Sequence, residues 1–283
     1  MQTDKNSILI TGCSSGIGRH AAAGLAQRGY RVFASARKVE DVEKLRQAGF
    51  EAFRLDLDDS DSIRSAFANI LQASDGRLYA LFNNGAYGQP GAVEDLSREV
   101  LRQQLETNVL GWHELTNLAI PVMRRQGEGR IIYNSSLLGF VAMAYRGAYN
   151  CSKYAIEGLA DTLRQELSGT GIHVSLIQPG PISSRFRANA YEKFLTNIDA
   201  GNSMHQPQYQ AMQQRLQKEG AAVPFTLPPE AVLQKLIHAL ESRNPRIRYP
   251  VTVPSHLFAG LKRLLPQRTL DRMLLKASGG GKR

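Results

Sequence analysis

Tyr149 and Lys153 stand four residues apart in a stretch that reads as helix, so the two side chains share one face. An ammonium held beside a phenol favours the phenolate and draws its pKa down from about 10 toward working pH. Such a tyrosine can pass a proton to a carbonyl oxygen. Ser136 closes an apolar stretch, at the end of a strand where parallel sheets present groups to ligands, and its hydroxyl can bond the same oxygen. Ser135 beside it is an equal candidate on residue type alone. The chain has ten tyrosines, so one Tyr-x-x-x-Lys pair is weak by itself.

A second set of residues suits a nucleotide. Gly12, Ser14, Ser15, Gly16, Ile17 and Gly18 lie between an apolar run and a helical one. Glycines there let backbone N–H groups approach a pyrophosphate, with the following helix N-terminus facing the charge. The spacing is Gly-x-x-x-Gly-x-Gly rather than Gly-x-Gly-x-x-Gly. The second strand ends in Arg37 and Lys38, with no acid before Glu40. A carboxylate at that point would accept from a ribose 2′-hydroxyl, whereas an arginine fork suits a 2′-phosphate. The expected cofactor is therefore NADP(H).

Six short apolar runs alternate with helical stretches: 7–12, 31–37, 52–59, 78–85, 129–136 and 173–180, with a seventh predicted at 247–251. Helices are predicted over 17–28, 39–49, 60–73, 96–126, 148–168 and 228–242, the third capped by Ser60 or Asp61. This rhythm predicts an α/β fold: one doubly wound Rossmann domain spanning the chain, with a seven-stranded parallel sheet flanked by helices. Residues 181–228 break the rhythm and read as a long substrate lid. Phe186, Tyr191, Phe194, Met204, Tyr209, Met212 and Phe225 there suit either an apolar pocket or a small satellite core. Residues 252–283 form a basic extension. Its apolar face is expected to dock on the domain, because Pro266 interrupts any long helix, and SGGGKR at the end reads as disordered.

Taken together, Thr11–Gly18, Asn83-Asn84-Gly85-Ala86, Asn108, Ser136, Tyr149-x-x-x-Lys153 and Pro179-Gly180 resemble the short-chain dehydrogenases/reductases over residues 7–251. The Pro179–Ser184 segment with Arg248-Tyr249-Pro250 resembles the retinol- and hydroxysteroid-dehydrogenase-like branch, and most of all bacterial broad-specificity NADP-dependent aldehyde reductases. The resemblance implies that Tyr149 is the general acid/base, Lys153 the partner of the nicotinamide ribose, and Ser136 the group that orients the substrate oxygen. It implies that Asn108 holds a proton-relay water, and that Asp56 and Leu57 contact the adenine. Asn83, Asn84 and Gly85 would line the cofactor site, and Pro179, Gly180, Ile182 and Ser184 would face the nicotinamide. Asn-Asn-Gly-Ala replaces the family's Asn-Asn-Ala-Gly, which puts the backbone at Ala86 in question.

Composition narrows the classes. The net charge is +10, but residues 241–283 hold ten Lys/Arg against two Asp/Glu, so the rest is nearly neutral. That argues against a nucleic-acid surface spread over the fold, and leaves peripheral contact of the tail with anionic membrane as an option. Two cysteines, Cys13 and Cys151, exclude a disulfide scaffold, and the six dispersed histidines suggest no metal site. The opening MQTDKNSILITG is too short for a signal peptide, and a cytoplasmic setting is expected. The leading expectation is an NADP(H)-dependent reductase of apolar aldehydes or ketones, reversible as an alcohol dehydrogenase, and by resemblance a homodimer or homotetramer. The alternatives are a non-catalytic NADP(H)-binding redox sensor and a membrane-associated retinoid or steroid reductase.

Overall fold

The computed structural model describes residues 7–218, 220 and 223–278. The first six residues and 279–283, including most of the predicted disordered end, lie outside the described residues. Seven strands form one parallel sheet: β1 (Ser7–Ile10), β2 (Arg31–Ala36), β3 (Glu51–Arg54), β4 (Ala80–Asn83), β5 (Gly129–Asn134), β6 (Ile172–Gln178) and β7 (Arg248–Pro250), ordered β3-β2-β1-β4-β5-β6-β7. The order reverses between β1 and β4, which opens a crevice at the carboxyl ends of those two strands.

Helices cover both faces. On one side lie α1 (Gly16–Gln27) and α9 (Glu230–Glu241); on the other lie α3 (Ser60–Ala73), α5 (Gly111–Gln126) and α6 (Gly147–Glu166). α2 (Val39–Gln47) links β2 to β3. β1 shows why its sequence is apolar throughout: Ile8 and Ile10 enter the α1/α9 core, whereas Leu9 enters the opposite one.

Three departures from the sequence reading bear on function. The predicted helix over 96–126 is α4 (Arg98–Leu105), a π turn over Glu106–Leu110, and then α5. The extra residue in that turn re-aims the side chains around Asn108. The cap of α3 is Asp59, whose carboxylate accepts from the Asp61 and Ser62 amides, not Ser60 or Asp61. Residues 181–228, expected to be a loop-like lid, contain two helices, α7 (Phe186–Asn197) and α8 (Gln206–Gln217).

α7 and α8 enclose a satellite core of Phe194, Ile198, Tyr209, Met212 and Leu216 against Ala92. The Tyr209 hydroxyl accepts from the Ala92 amide at 2.9 Å and donates to the Asp95 carboxylate. The aromatic and methionine side chains of this segment thus divide. Phe194 and Tyr209 are core, Phe186 and Phe225 line the cavity, and Met204 is exposed.

The basic extension folds as α10 (Val253–Leu264) and α11 (Gln267–Ala277), separated at Pro266. Phe258, Leu270 and Leu274 pack on Leu137 and Val141, so its apolar face docks on the domain beside Ser136. Among the described residues no helix is long and apolar enough to cross a membrane, and no cluster of three metal-ligating side chains occurs.

Candidate active site

A cavity of about 750 Å³ opens over the carboxyl ends of β1, β4, β5 and β6. The glycine loop forms one wall. Gly12 has φ +71, and a Cβ there would lie 2.5 Å from the Gly85 Cα. A Cβ on Gly18 would lie 2.3 Å from the Gly12 carbonyl oxygen, so the loop closes tightly only with glycine. Thr11 ties it to β4: its hydroxyl accepts from the Asn84 and Gly85 amides, both at 2.8 Å. Ser15, the N-cap of α1, makes no side-chain cap, and no acid stands in the first turn. The first amides of α1 therefore face the cavity without an anionic partner from the chain, which fits a dinucleotide pyrophosphate.

Across the cavity, β5 and α6 bring Ser136, Tyr149 and Lys153 together. Ser135 points elsewhere, its hydroxyl donating to Glu157 at 2.6 Å, which leaves Ser136 as the serine facing the cavity. Ser136 Oγ accepts from the Leu138 amide at 3.1 Å and hydrogen-bonds the Tyr149 side chain. Lys153 is 1% exposed. Its Nζ donates to the Asn134 carbonyl at 2.8 Å, sits 4.1 Å over the Trp112 ring and lies 5.6 Å from the Tyr149 ring.

Burial pushes Lys153 down to about 7, with the Glu157 charge working against it. Burial also pushes the Tyr149 phenol up to about 12, with the Ser136 bond opposing. Burial thus works on the phenol against the lowering expected from Lys153. The phenol keeps its proton at neutral pH.

A family model described as short chain dehydrogenase matches residues 6–194. The chain belongs to the short-chain dehydrogenase/reductase family. This dehydrogenase is 42% identical over 270 residues to the uncharacterized oxidoreductase YbbO of Escherichia coli, covering 95% of this chain and 94% of that one. It is 31% identical to human 17-beta-hydroxysteroid dehydrogenase type 1, over 87% of this chain and 77% of that one. Among solved structures it is similar to actinorhodin polyketide ketoreductase with NADPH: 26% identity, TM-score 0.72, covering 89% of this chain and 97% of that one. Membership makes it an NAD(P)-dependent oxidoreductase.

The dehydrogenase places most, not all, of the predicted residues in the cavity wall. Gly12, Ser14, Ser15, Gly16, Ile17, Gly18, Asn84, Gly85, Pro179, Gly180, Ile182 and Ser184 line it with Ser136, Tyr149 and Lys153. Asn83 does not. It ends β4 facing away, fully buried, and donates to Thr116 Oγ1 at 3.0 Å, because alternate strand residues face opposite sides. Asn108 is also buried outside the wall: its side chain clamps the Tyr87 backbone (2.9 and 3.2 Å) and donates to Ser152 Oγ at 3.1 Å.

Arg37, Lys38, Asp56 and Leu57 lie beyond the cavity wall, after β2 and β3; the two cations are exposed. The Cys13 amide bonds the Ser35 carbonyl at 2.7 Å, holding the glycine loop to that end of β2. Ala86 keeps negative φ, so the Gly-Ala order costs nothing there. Gly85 supplies the room instead, since a Cβ on it would lie 3.2 Å from the Gly12 amide.

Sequence reasoning missed several supporting groups. Trp112 forms the aromatic shelf under Lys153 and donates to the Gly85 carbonyl at 2.7 Å. Glu157, one turn beyond Lys153, accepts from Ser135, from Gln178 at 2.8 Å and from Arg248 at 3.0 Å. Its four-residue spacing from Lys153 was a usable signal. Cys13 is fully buried and its thiol is pushed up to about 12 by desolvation, so it is an inert core group.

Proposed function

We propose that this dehydrogenase reduces aldehydes or ketones to alcohols with NADPH, and runs the reverse oxidation under the opposite mass balance. The observation that carries the reading is the convergence of Ser136, Tyr149 and Lys153 across one cavity from an uncapped helix N-terminus and a glycine cradle. When bound, the nicotinamide supplies hydride to the carbonyl carbon. Tyr149, protonated at neutral pH, gives its proton to the carbonyl oxygen as negative charge develops there. Ser136 donates to the same oxygen and orients it. Lys153, fixed by the Asn134 carbonyl and Trp112, stands behind the phenol. Leu137, Leu138, Phe186, Phe225 and Leu257 line the substrate side, which supports a substrate with an apolar body.

Arg37 at the end of β2, with no carboxylate before Glu40, supports NADPH over NADH. The test is NADPH and NADH oxidation across a panel of aldehydes, ketones, retinoids and steroids, with wild type and Arg37→Asp. Wild type should favour NADPH, and Arg37→Asp should shift the preference at least about tenfold toward NADH, the loss of one charge-assisted bond. An unchanged preference would remove Arg37 from phosphate recognition. Tight NADPH binding with no turnover of any carbonyl would remove the reductase reading.

A further inference from the structure

Three consecutive residues at the exit of β5 each grip α6, at positions one turn apart. The Asn134 carbonyl accepts from Lys153 Nζ at 2.8 Å, the Ser135 hydroxyl donates to Glu157 Oε1 at 2.6 Å, and the Ser136 hydroxyl bonds the Tyr149 side chain. Tyr149, Lys153 and Glu157 are spaced by four residues, so they stand along one face of the helix. Two of the three contacts hold groups of the cavity wall. The third ends on Glu157, which is no part of that wall.

This third contact is anchored from behind. Glu157 is 8% exposed. Its Oε1 also accepts from Gln178 Nε2 on β6 at 2.8 Å, and its Oε2 accepts from Arg248 Nε on β7 at 3.0 Å. Arg248 Nη2 reaches on to Asp161 at 2.6 Å, one turn further along α6, and Arg164 bonds Asp161 at 2.7 Å. A Cβ on Gly139 would lie 2.6 Å from Ser135 Oγ and 3.1 Å from Glu157 Cγ, so the turn after Ser136 packs directly over the bond. One carboxylate thus ties β6, β7 and the exit of β5 to α6.

Burying a carboxylate is costly unless donors surround it, and here three donors fix its place. The Asn134 carbonyl carbon is bonded to the Ser135 nitrogen, and Ser136 follows directly. A slip of Ser135 would therefore move the acceptor of Lys153 and the hydroxyl at Tyr149 together. The Glu157 charge also acts on Lys153, favouring the ammonium against burial.

We propose that Glu157 is a positioning residue for the reaction: through Ser135 it fixes the segment that holds Lys153 and presents Ser136, and it is the counter-charge to Lys153. The inference rests on the carbonyl-reductase reading and adds to it a residue outside the cavity wall.

The test is a double-mutant cycle of Ser135→Ala and Glu157→Gln, read as kcat and KM for a responsive aldehyde at saturating NADPH. Each single variant should lose roughly 10- to 100-fold in kcat, the range for a small misplacement remote from the chemistry. The double variant should lose no more than the worse single, because both act through one contact. An unchanged kcat in Ser135→Ala would overturn the proposal, as would a loss confined to KM or losses that multiply in the double variant. If Glu157→Gln does not fold, Ser135→Ala decides alone, since it leaves the bonds of Glu157 to Gln178 and Arg248 in place.

A second measurement needs no turnover: pH titration of the Lys153 amine by nitrogen NMR on lysine-labelled protein, its signal identified by its loss in Lys153→Met. Among the described residues, Tyr149, Asp161 and Arg164 on α6 and Arg248 on β7 are the other titratable groups linked to the pair, and Glu157→Gln keeps them all. The Lys153 midpoint should fall below that of wild type in Glu157→Gln. A midpoint unchanged or raised would overturn the proposal. A lowered midpoint in a protein that reduces no carbonyl would refute the reductase reading and keep the hold of Glu157 on Lys153.

Discussion

Lys153 is an amine placed where water does not reach. Its ammonium is held by one carbonyl and one indole face, and burial brings its pKa from the ordinary 10.5 to about 7. The depressed value carries a stability signature. Between about pH 7 and 10.5 the unfolded chain holds a proton that the folded chain has released, so folding grows more favourable as pH rises through this window. The cofactor-free protein should therefore gain melting temperature from pH 7 toward 10 relative to Lys153→Met. Tyr149 works in the opposite sense, but only above about pH 10, where its raised pKa begins to matter. A difference between the two proteins that stays flat or shrinks with pH would show that Lys153 is solvated. The lysine, the tyrosine and the serine were all legible from residue type and order. Their ionisation was not, because desolvation depends on Trp112 and Asn134, which sequence spacing does not bring beside them.

At the scale of elements, the π turn and α5 set the distance between the sheet and the site. Gly111 opens α5 with no space above it: a Cβ would lie 2.1 Å from the Leu57 carbonyl oxygen, which is backbone and cannot step aside. Gly111→Ala should destabilise the protein by about 1–3 kcal/mol through overpacking. Gly260→Ala on the exposed face of α10, where a Cβ meets nothing within 4 Å, should stabilise by about 0.5–1 kcal/mol. Urea unfolding checks both, and a neutral Gly111→Ala would mean that α5 is free to shift.

The central strands β1 and β4 were readable because they are buried on both faces and nearly all apolar. The π turn was hidden because one extra residue leaves the composition of 96–126 unchanged. α8 was masked by six glutamines, although Tyr209, Met212 and Leu216 keep a helical spacing within it. Asn83 and Asn84 looked equivalent until the strand pleat sent them to opposite sides.

Across the whole molecule, the basic extension is a wall of the reaction cavity. Leu257, Phe258, Ala277 and Ser278 line it, and Leu270 and Leu274 anchor α11 on the segment that follows Ser136. Deleting residues 267–283 should lower the melting temperature and raise KM for carbonyl substrates at least several-fold, while KM for NADPH stays near wild type because the glycine loop is untouched. An unchanged carbonyl KM would show that α11 is an appendage. Charge located this tail in the sequence, and Pro266 marked its break. Its role as a cavity wall is not readable there, because it depends on α11 packing against β5's exit loop.

Tyr149→Phe tests the central claim most directly, because the substitution removes one oxygen and leaves the ring against Phe186. Two quantities should be measured on the same preparation: NADPH affinity by fluorescence titration, and turnover of a responsive aldehyde. The account predicts affinity near wild type and turnover lower by about 10²–10⁴-fold, the range for losing a positioned general acid. Wild-type turnover in the phenylalanine variant would contradict it.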